Sequence, residues 1–137
     1  MSNTRSAHLR WTGDGEVFEG HGASGDRIPI DGDMEKGLSP TEVLLLALAA
    51  CMAIDIRMIL EKGRVVVEQI ETDVEGERRR EPPRYFEKVH LNVRLRGPSS
   101  QDESKIERAV QLSRDKYCSV LHTLRPDLEL SVAIERF

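Results

Sequence analysis

Residues 39–63 read SPTEVLLLALAACMAIDIRMILEKG, and the rest of the chain has to be arranged around them. Ser39 stands where a helix cap belongs, Pro40 suits the first helical position, and Glu42 follows the cap by three residues, so a helix is predicted to start here. Gly63 provides the stop. A helix of about 23 residues would run about 34 Å. A helix lying on a protein surface carries a polar stripe, but this one has none for three turns, so its first half is expected to be enclosed by protein on every side. Its unbroken apolar run, residues 43–54, is followed by Asp55 and Arg57 and falls short of the roughly 20 residues a membrane span needs. We therefore expect a core helix and no membrane partner.

Outward toward the N-terminus, AHLRWT, EVFEG and RIPID have strand character and are separated by Gly13-Asp14-Gly15 and by the glycines between positions 20 and 25. They read as a three-stranded meander. Toward the C-terminus, RVVVEQIETDVEGE and RYFEKVHLNVRLRG read as two further strands, joined by a charged, Pro-rich hairpin turn at GERRREPPR. Val89, Leu91, Val93 and Leu95 alternate with polar residues, as on a sheet with one dry face. Residues 100–123 carry a Ser100/Glu103 capping pattern and apolar positions at helical spacing, which predicts a second helix interrupted near Cys118. LELSVAIERF closes the chain as a strand. The order β-β-β-α-β-β-α-β makes an α+β fold with the apolar helix against a sheet, and a second copy of the chain is the expected cover for the helix's other faces.

At 137 residues the chain is predicted to be a single domain spanning 1–137. A hydrophobic share of 39% under 32% charged residues means a small core, a shortage that dimerisation relieves. The net charge of −4 argues against nucleic acid as a partner. The opening MSNTRSAHLRW has no apolar signal segment, so a cytoplasmic location is expected.

Cys51 and Cys118 are the only cysteines, 67 positions apart and one on each predicted helix. Two thiols in a reducing compartment are inert, metal-binding or redox-active. A buried cysteine taken alone is usually a small hydrophobe. As a pair on crossing helices the two could meet, one reacting with peroxide and the other resolving the sulfenic acid as a disulfide. Without a Cys-x-x-Cys and with His8, His21, His90 and His122 scattered, no metal site is expected. Cys118 and His122, four apart, offer a weaker nucleophile–base pair that lacks a recognisable third member. The glycines of GHGASGDR lead into a strand rather than a helix, so they mark turns, and no cofactor is expected.

The SPTE start, the apolar helix through Ala-Ala-Cys51, and DKYCSV at 115–120 together resemble the OsmC/Ohr family of thiol-dependent peroxidases. ASGDRIPIDGD, LEKGR and RAVQLSRDKYCSV look like its YhfA-like branch, and the likeness covers residues 8–135. The resemblance implies an OsmC-like fold, an intertwined homodimer, and sites at the subunit interface with the cysteine helices at the centre. It implies that Cys51 attacks an organic, lipid-like hydroperoxide, that Cys118 closes a disulfide, and that an external dithiol of the lipoyl type reduces the pair. It also implies a supporting Glu and Arg. The position ten residues before Cys51 is Thr41, with Glu42 next to it, so Glu42 serves catalysis or caps the helix. Arg27, with Arg10 second, is the candidate cation. The alternative on the same fold is a non-catalytic ligand-binding or redox-sensing stress protein, and a purely structural role for both thiols stands as a third reading.

Overall fold

The computed structural model describes residues 3–137; Met1 and Ser2, the start of the N-terminal stretch read above, lie outside the described residues. The chain divides into two compact units, one up to Leu44 and one from Leu45 onward.

The first unit is an antiparallel meander of β1 (His8–Trp11), β2 (Val17–His21) and β3 (Arg27–Asp31). Trp11 pairs with Phe18 at the hairpin end, where Gly13 and Gly15 take the positive φ that the tight turn requires. After β3 the Asp31 carboxylate accepts backbone N–H groups from Asp33, Glu35 and Lys36 at 2.9, 3.2 and 2.9 Å. These bonds, led by that from Lys36, hold its carboxyl below the ordinary aspartate range. A short loop thereby turns the chain toward Ser39.

Helix α1 (Pro40–Lys62) has the predicted bounds. Ser39 and Glu42 form a reciprocal cap: the Ser39 N–H donates to Glu42 Oε1 at 2.9 Å, and the Glu42 N–H donates to Ser39 Oγ at 3.3 Å. By length and composition α1 could cross a membrane, a test that core helices of soluble proteins pass as well. Its residues Leu48, Ala49, Met52, Ile56 and Leu60 recur at helical spacing on one face and are buried.

The second unit holds a mixed sheet in the order β4-β5-β6. β4 (Gln69–Arg78) and β5 (Phe86–Arg96) form a long antiparallel hairpin, and β6 (Glu129–Arg136) joins β5 in parallel. That parallel pairing requires a crossover, which the helical segment between them supplies. Val89, Leu91, Val93 and Leu95 are buried together with the α1 stripe, Ile106, Ala109 and Cys118 in one core cluster. At about 25 cal/mol per Å², clustering side chains of this size is the main force holding helix to sheet.

The structure departs from the sequence reading at two points. The strand expected from Arg64 begins only at Gln69, because residues 64–68 carry the chain off α1: Arg64 takes φ 62°, and the Val65 N–H donates back to Leu60 O at 2.9 Å. The reciprocal cap is made by Ser99 with Asp102 rather than by Ser100 with Glu103, and it caps a 3₁₀ turn at Ser100–Asp102 that leads into α2 (Glu103–Leu112), whose own N-cap residue, Asp102, makes no side-chain cap bond. Among the described residues, α1 also carries exposed apolar side chains outside its buried face, the part of the helix for which a second copy is the expected cover. Leu46, Ile54 and Met58, outside that face, are 49%, 57% and 47% exposed.

Candidate functional site

The interruption expected near Cys118 is a π-helical turn at Ser113–Tyr117, followed by α3 (Ser119–Thr123). Such a turn widens the helix by one residue, and here the Cys118 N–H reaches Ser113 O at 2.8 Å. Cys118 itself leaves the helix with φ −70° and ψ 99°, and its sulfur accepts the Leu121 N–H at 3.4 Å, capping α3. The widened turn thus aims a buried sulfur away from the helix it interrupts. Arg114, within the turn, donates to the Leu130 carbonyl of β6, and His122 Nε2 lies 3.0 Å from Arg114 O. His122 is therefore engaged with backbone beside the turn.

Across from Cys118 stands α1, with Cys51 half-buried and Asp55 one helical turn further on. The two sulfurs and an Asp55 carboxylate oxygen all lie within 4.8 Å of one another. Both thiols are free. A disulfide bond is about 2.05 Å long, so oxidation would draw the sulfurs together over a short path. Ser113, fully buried, donates its hydroxyl to Asp55 Oδ2 at 2.8 Å, which fixes the carboxylate beside the thiols and satisfies the hydroxyl. Asp55 and Ser113 are absent from the candidates read out of the sequence. The signals that point to them are local: Asp55 follows Cys51 by four positions, and Ser113 precedes Cys118 by five.

Burial pushes the Cys118 thiol up to about 11; the Leu121 N–H pulls it down in part, and contact with the Cys51 thiol raises it. Cys118 is therefore a protonated thiol at neutral pH, suited to resolving rather than to initiating attack. A raised thiol pKa means that folding favours the neutral form. Its contribution to stability is complete below the ordinary value of 9.0 and is lost as pH rises from there through about 11. We expect the stability difference between the wild type and Cys118→Ala, measured by urea unfolding, to shrink steadily over that window; a constant difference would contradict the burial argument.

Cys51, Asp55 and Cys118 are also three donors at metal-binding separation. Among the described residues the group stops at three, one short of the tetrahedral set of a structural zinc. The arrangement is better suited to disulfide chemistry.

The other two candidates lie in the first unit, each with a partner there. Glu42 accepts from the Ser39 N–H and from the Ser39 hydroxyl at 3.0 Å, and these bonds, the backbone one first, lower its pKa. Arg27 is ion-paired with Glu19, and Arg10 approaches the same carboxylate oxygen at 3.4 Å. Arg27 is the larger of the influences that keep the Glu19 carboxyl below its usual value.

Comparison with known proteins places these features in context. The family model described as OsmC-like protein matches residues 32–133, a span that includes both cysteines. The chain is 38% identical over 130 residues to the protein YhfA of Escherichia coli K12, covering 94% of this chain and 96% of that one. A hypothetical protein from Aquifex aeolicus superposes with a TM-score of 0.86 at 28% identity, over 99% of this chain and 98% of the other. An organic hydroperoxide resistance protein OsmC from Legionella pneumophila superposes with a TM-score of 0.68 over 98% of each chain. At 14% identity, that last likeness is one of fold.

Proposed function

This chain belongs to the OsmC-like family, and from that premise we propose that it is a thiol peroxidase that reduces organic hydroperoxides. The observation that carries the proposal is the pairing of a half-buried Cys51 on α1 with a buried Cys118 at the cap of α3, sulfurs within 4.8 Å. The accessible thiol is placed to meet a substrate and the buried one to resolve it. In this reading the Cys51 thiol gives up its proton, the thiolate attacks the distal oxygen of the hydroperoxide, the O–O bond breaks, the departing alkoxide takes up a proton and leaves as an alcohol, and Cys51 becomes a sulfenic acid. Cys118 then displaces the hydroxyl as water to form the disulfide. An external dithiol, of the lipoyl type, returns both sulfurs to thiols by exchange. An apolar, lipid-like hydroperoxide suits a nucleophile set in an apolar helix better than hydrogen peroxide does, because only the former has apolar surface to bury.

A homodimer belongs to the same proposal. The exposed apolar side chains Leu46, Ile54 and Met58 on α1 support it, since a second copy packed over them would remove them from water. A cytoplasmic location, where thiols are kept reduced, fits the same cycle.

A second reading, a non-catalytic ligand-binding or redox-sensing protein, is favoured by one observation. Glu42 is already occupied with Ser39, and Arg27 with Glu19, so either would have to leave its partner to support a thiolate. One experiment separates the readings: the reduced protein is mixed with a small excess of cumene hydroperoxide and free thiols are counted over time. We expect both thiols to disappear together and to return on adding dihydrolipoamide, with repeated turnover. A protein that keeps both thiols would overturn the peroxidase reading, and one stoichiometric oxidation without turnover would favour the sensor.

A further inference from the structure

We propose that Asp55, held by Ser113, carries the proton in the disulfide-forming step, taking it from Cys118 and delivering it to the hydroxyl that leaves Cys51. The inference rests on the peroxidase reading above and assigns a chemical role to a residue which that reading leaves unused.

Three features of the geometry point to this role. An Asp55 oxygen lies within 4.8 Å of both reacting sulfurs, so one carboxylate stands beside donor and acceptor alike. It projects from the same helix as Cys51, one turn away, and so moves with the sulfur whose leaving group it must protonate. It is held by a buried hydroxyl: Ser113 donates to Asp55 Oδ2 at 2.8 Å, and a carboxylate oxygen has further lone pairs with which to accept. Ser113 and Cys118 flank the same π-helical turn, joined by the Cys118 N–H to Ser113 O bond. The element that presents the resolving thiol therefore also orients its base.

The chemical need is specific. Cys118 is buried and holds its proton at neutral pH, so a base must remove that proton as the sulfur attacks. The step balances: the Cys118 S–H bond breaks and its proton passes to Asp55 while the sulfur's electron pair forms the S–S bond. The Cys51 S–O bond breaks, and the departing hydroxide takes the proton from Asp55 as water. Asp55 returns to the carboxylate, and the only oxidant consumed is the organic hydroperoxide that made the sulfenic acid.

The test follows the two steps separately, using cumene hydroperoxide as the oxidant. Sulfenic acid at Cys51 is trapped with dimedone, and disulfide closure is followed by loss of the second thiol. In Asp55→Asn, sulfenic acid formation should proceed at least as fast as in the wild type, because a negative charge has been removed from beside the attacking sulfur. Disulfide closure should slow by about 100-fold or more, the usual yield of a placed acid–base group, so that the dimedone adduct accumulates. Ser113→Ala, which retains the carboxylate and releases its anchor, should show the same pattern to a smaller degree, and it serves if Asp55→Asn does not fold. Closure within a few-fold of wild type in both variants would overturn the proposal, as would equal slowing of both steps, the mark of a structural role. If the wild type itself forms neither sulfenic acid nor disulfide, the peroxidase reading fails and takes this inference with it. If the wild type closes its disulfide and the variants match it, only the role of Asp55 is lost.

Discussion

Cys51→Ser is expected to lower hydroperoxide consumption by at least about 10⁴-fold, the scale on which removing one member of a cooperating nucleophilic set acts. Serine keeps nearly the shape of cysteine at this half-buried position on α1, so folding should be retained and the loss should belong to the chemistry. Its hydroxyl has no accessible thiolate-like state near neutral pH and no sulfenic acid to form. Cys118→Ser should behave differently. Cys51 would still be oxidised once, and the sulfenic acid, lacking its resolving partner, would persist until trapped or over-oxidised. Turnover with dihydrolipoamide would fall while the first oxidation kept its rate. Peroxide consumption unchanged in Cys51→Ser, measured on protein shown to be folded by circular dichroism, would sink the assignment of Cys51 as the nucleophile. The contrast between the two variants matters more than either alone, because a merely structural pair of thiols would affect stability in both and the timing of oxidation in neither.

Gly97→Ala should destabilise the fold by about 3 kcal/mol or more, with a fall in Tm of roughly 10 °C. Gly97 follows directly on β5 with φ +115°, a backbone conformation that residues with a Cβ rarely adopt. Space compounds the strain. A Cβ at this position would lie 2.4 Å from the Val66 carbonyl oxygen and 3.0 Å from the Glu68 nitrogen. Both obstacles are backbone, so no side chain can swing aside, and the neighbouring bond from the Glu68 N–H to Arg96 O at 2.8 Å would be pushed apart. Gly15→Ala is the control. Gly15 also has positive φ, at +49°, but nothing lies within 4 Å of a Cβ there, so only the conformational cost of about 1 kcal/mol remains. Equal and small losses in the two variants, read by thermal unfolding, would mean that the segment at Val66 to Glu68 does not press on Gly97.

Much of this protein is written locally and can be read without coordinates. The α1 limits follow from Ser39, Pro40 and Gly63, because a cap, a first-turn proline and a C-terminal glycine act within one turn of themselves. Val89 to Leu95 announce a one-faced strand by alternation, and all four prove buried. The break before Cys118 is legible too, though its form, a π-helical turn, is not. Where signals compete within a few residues, local reading slips: Ser99 and Ser100 both offer a cap with an acidic partner three residues on, and the preceding chain path selects Ser99. At Arg64 to Glu68 three consecutive valines suggest strand, while the need to leave α1 and bring Val65 into the core imposes a turn.

The candidate site divides along the same line. That Cys51 sits on a long helix among apolar neighbours, and that Cys118 falls in a second helical segment broken near it, is determined by the sequence alone, since helical spacing and composition are properties of short stretches. That their sulfurs come within 4.8 Å of each other and of Asp55, and that a serine 58 positions away from Asp55 holds its carboxylate, was decided only by the tertiary structure. Such contacts arise from the packing of α1 against the helical segment between β5 and β6, and the free energy that selects that packing comes from the whole shared core, of which Cys118 is one member.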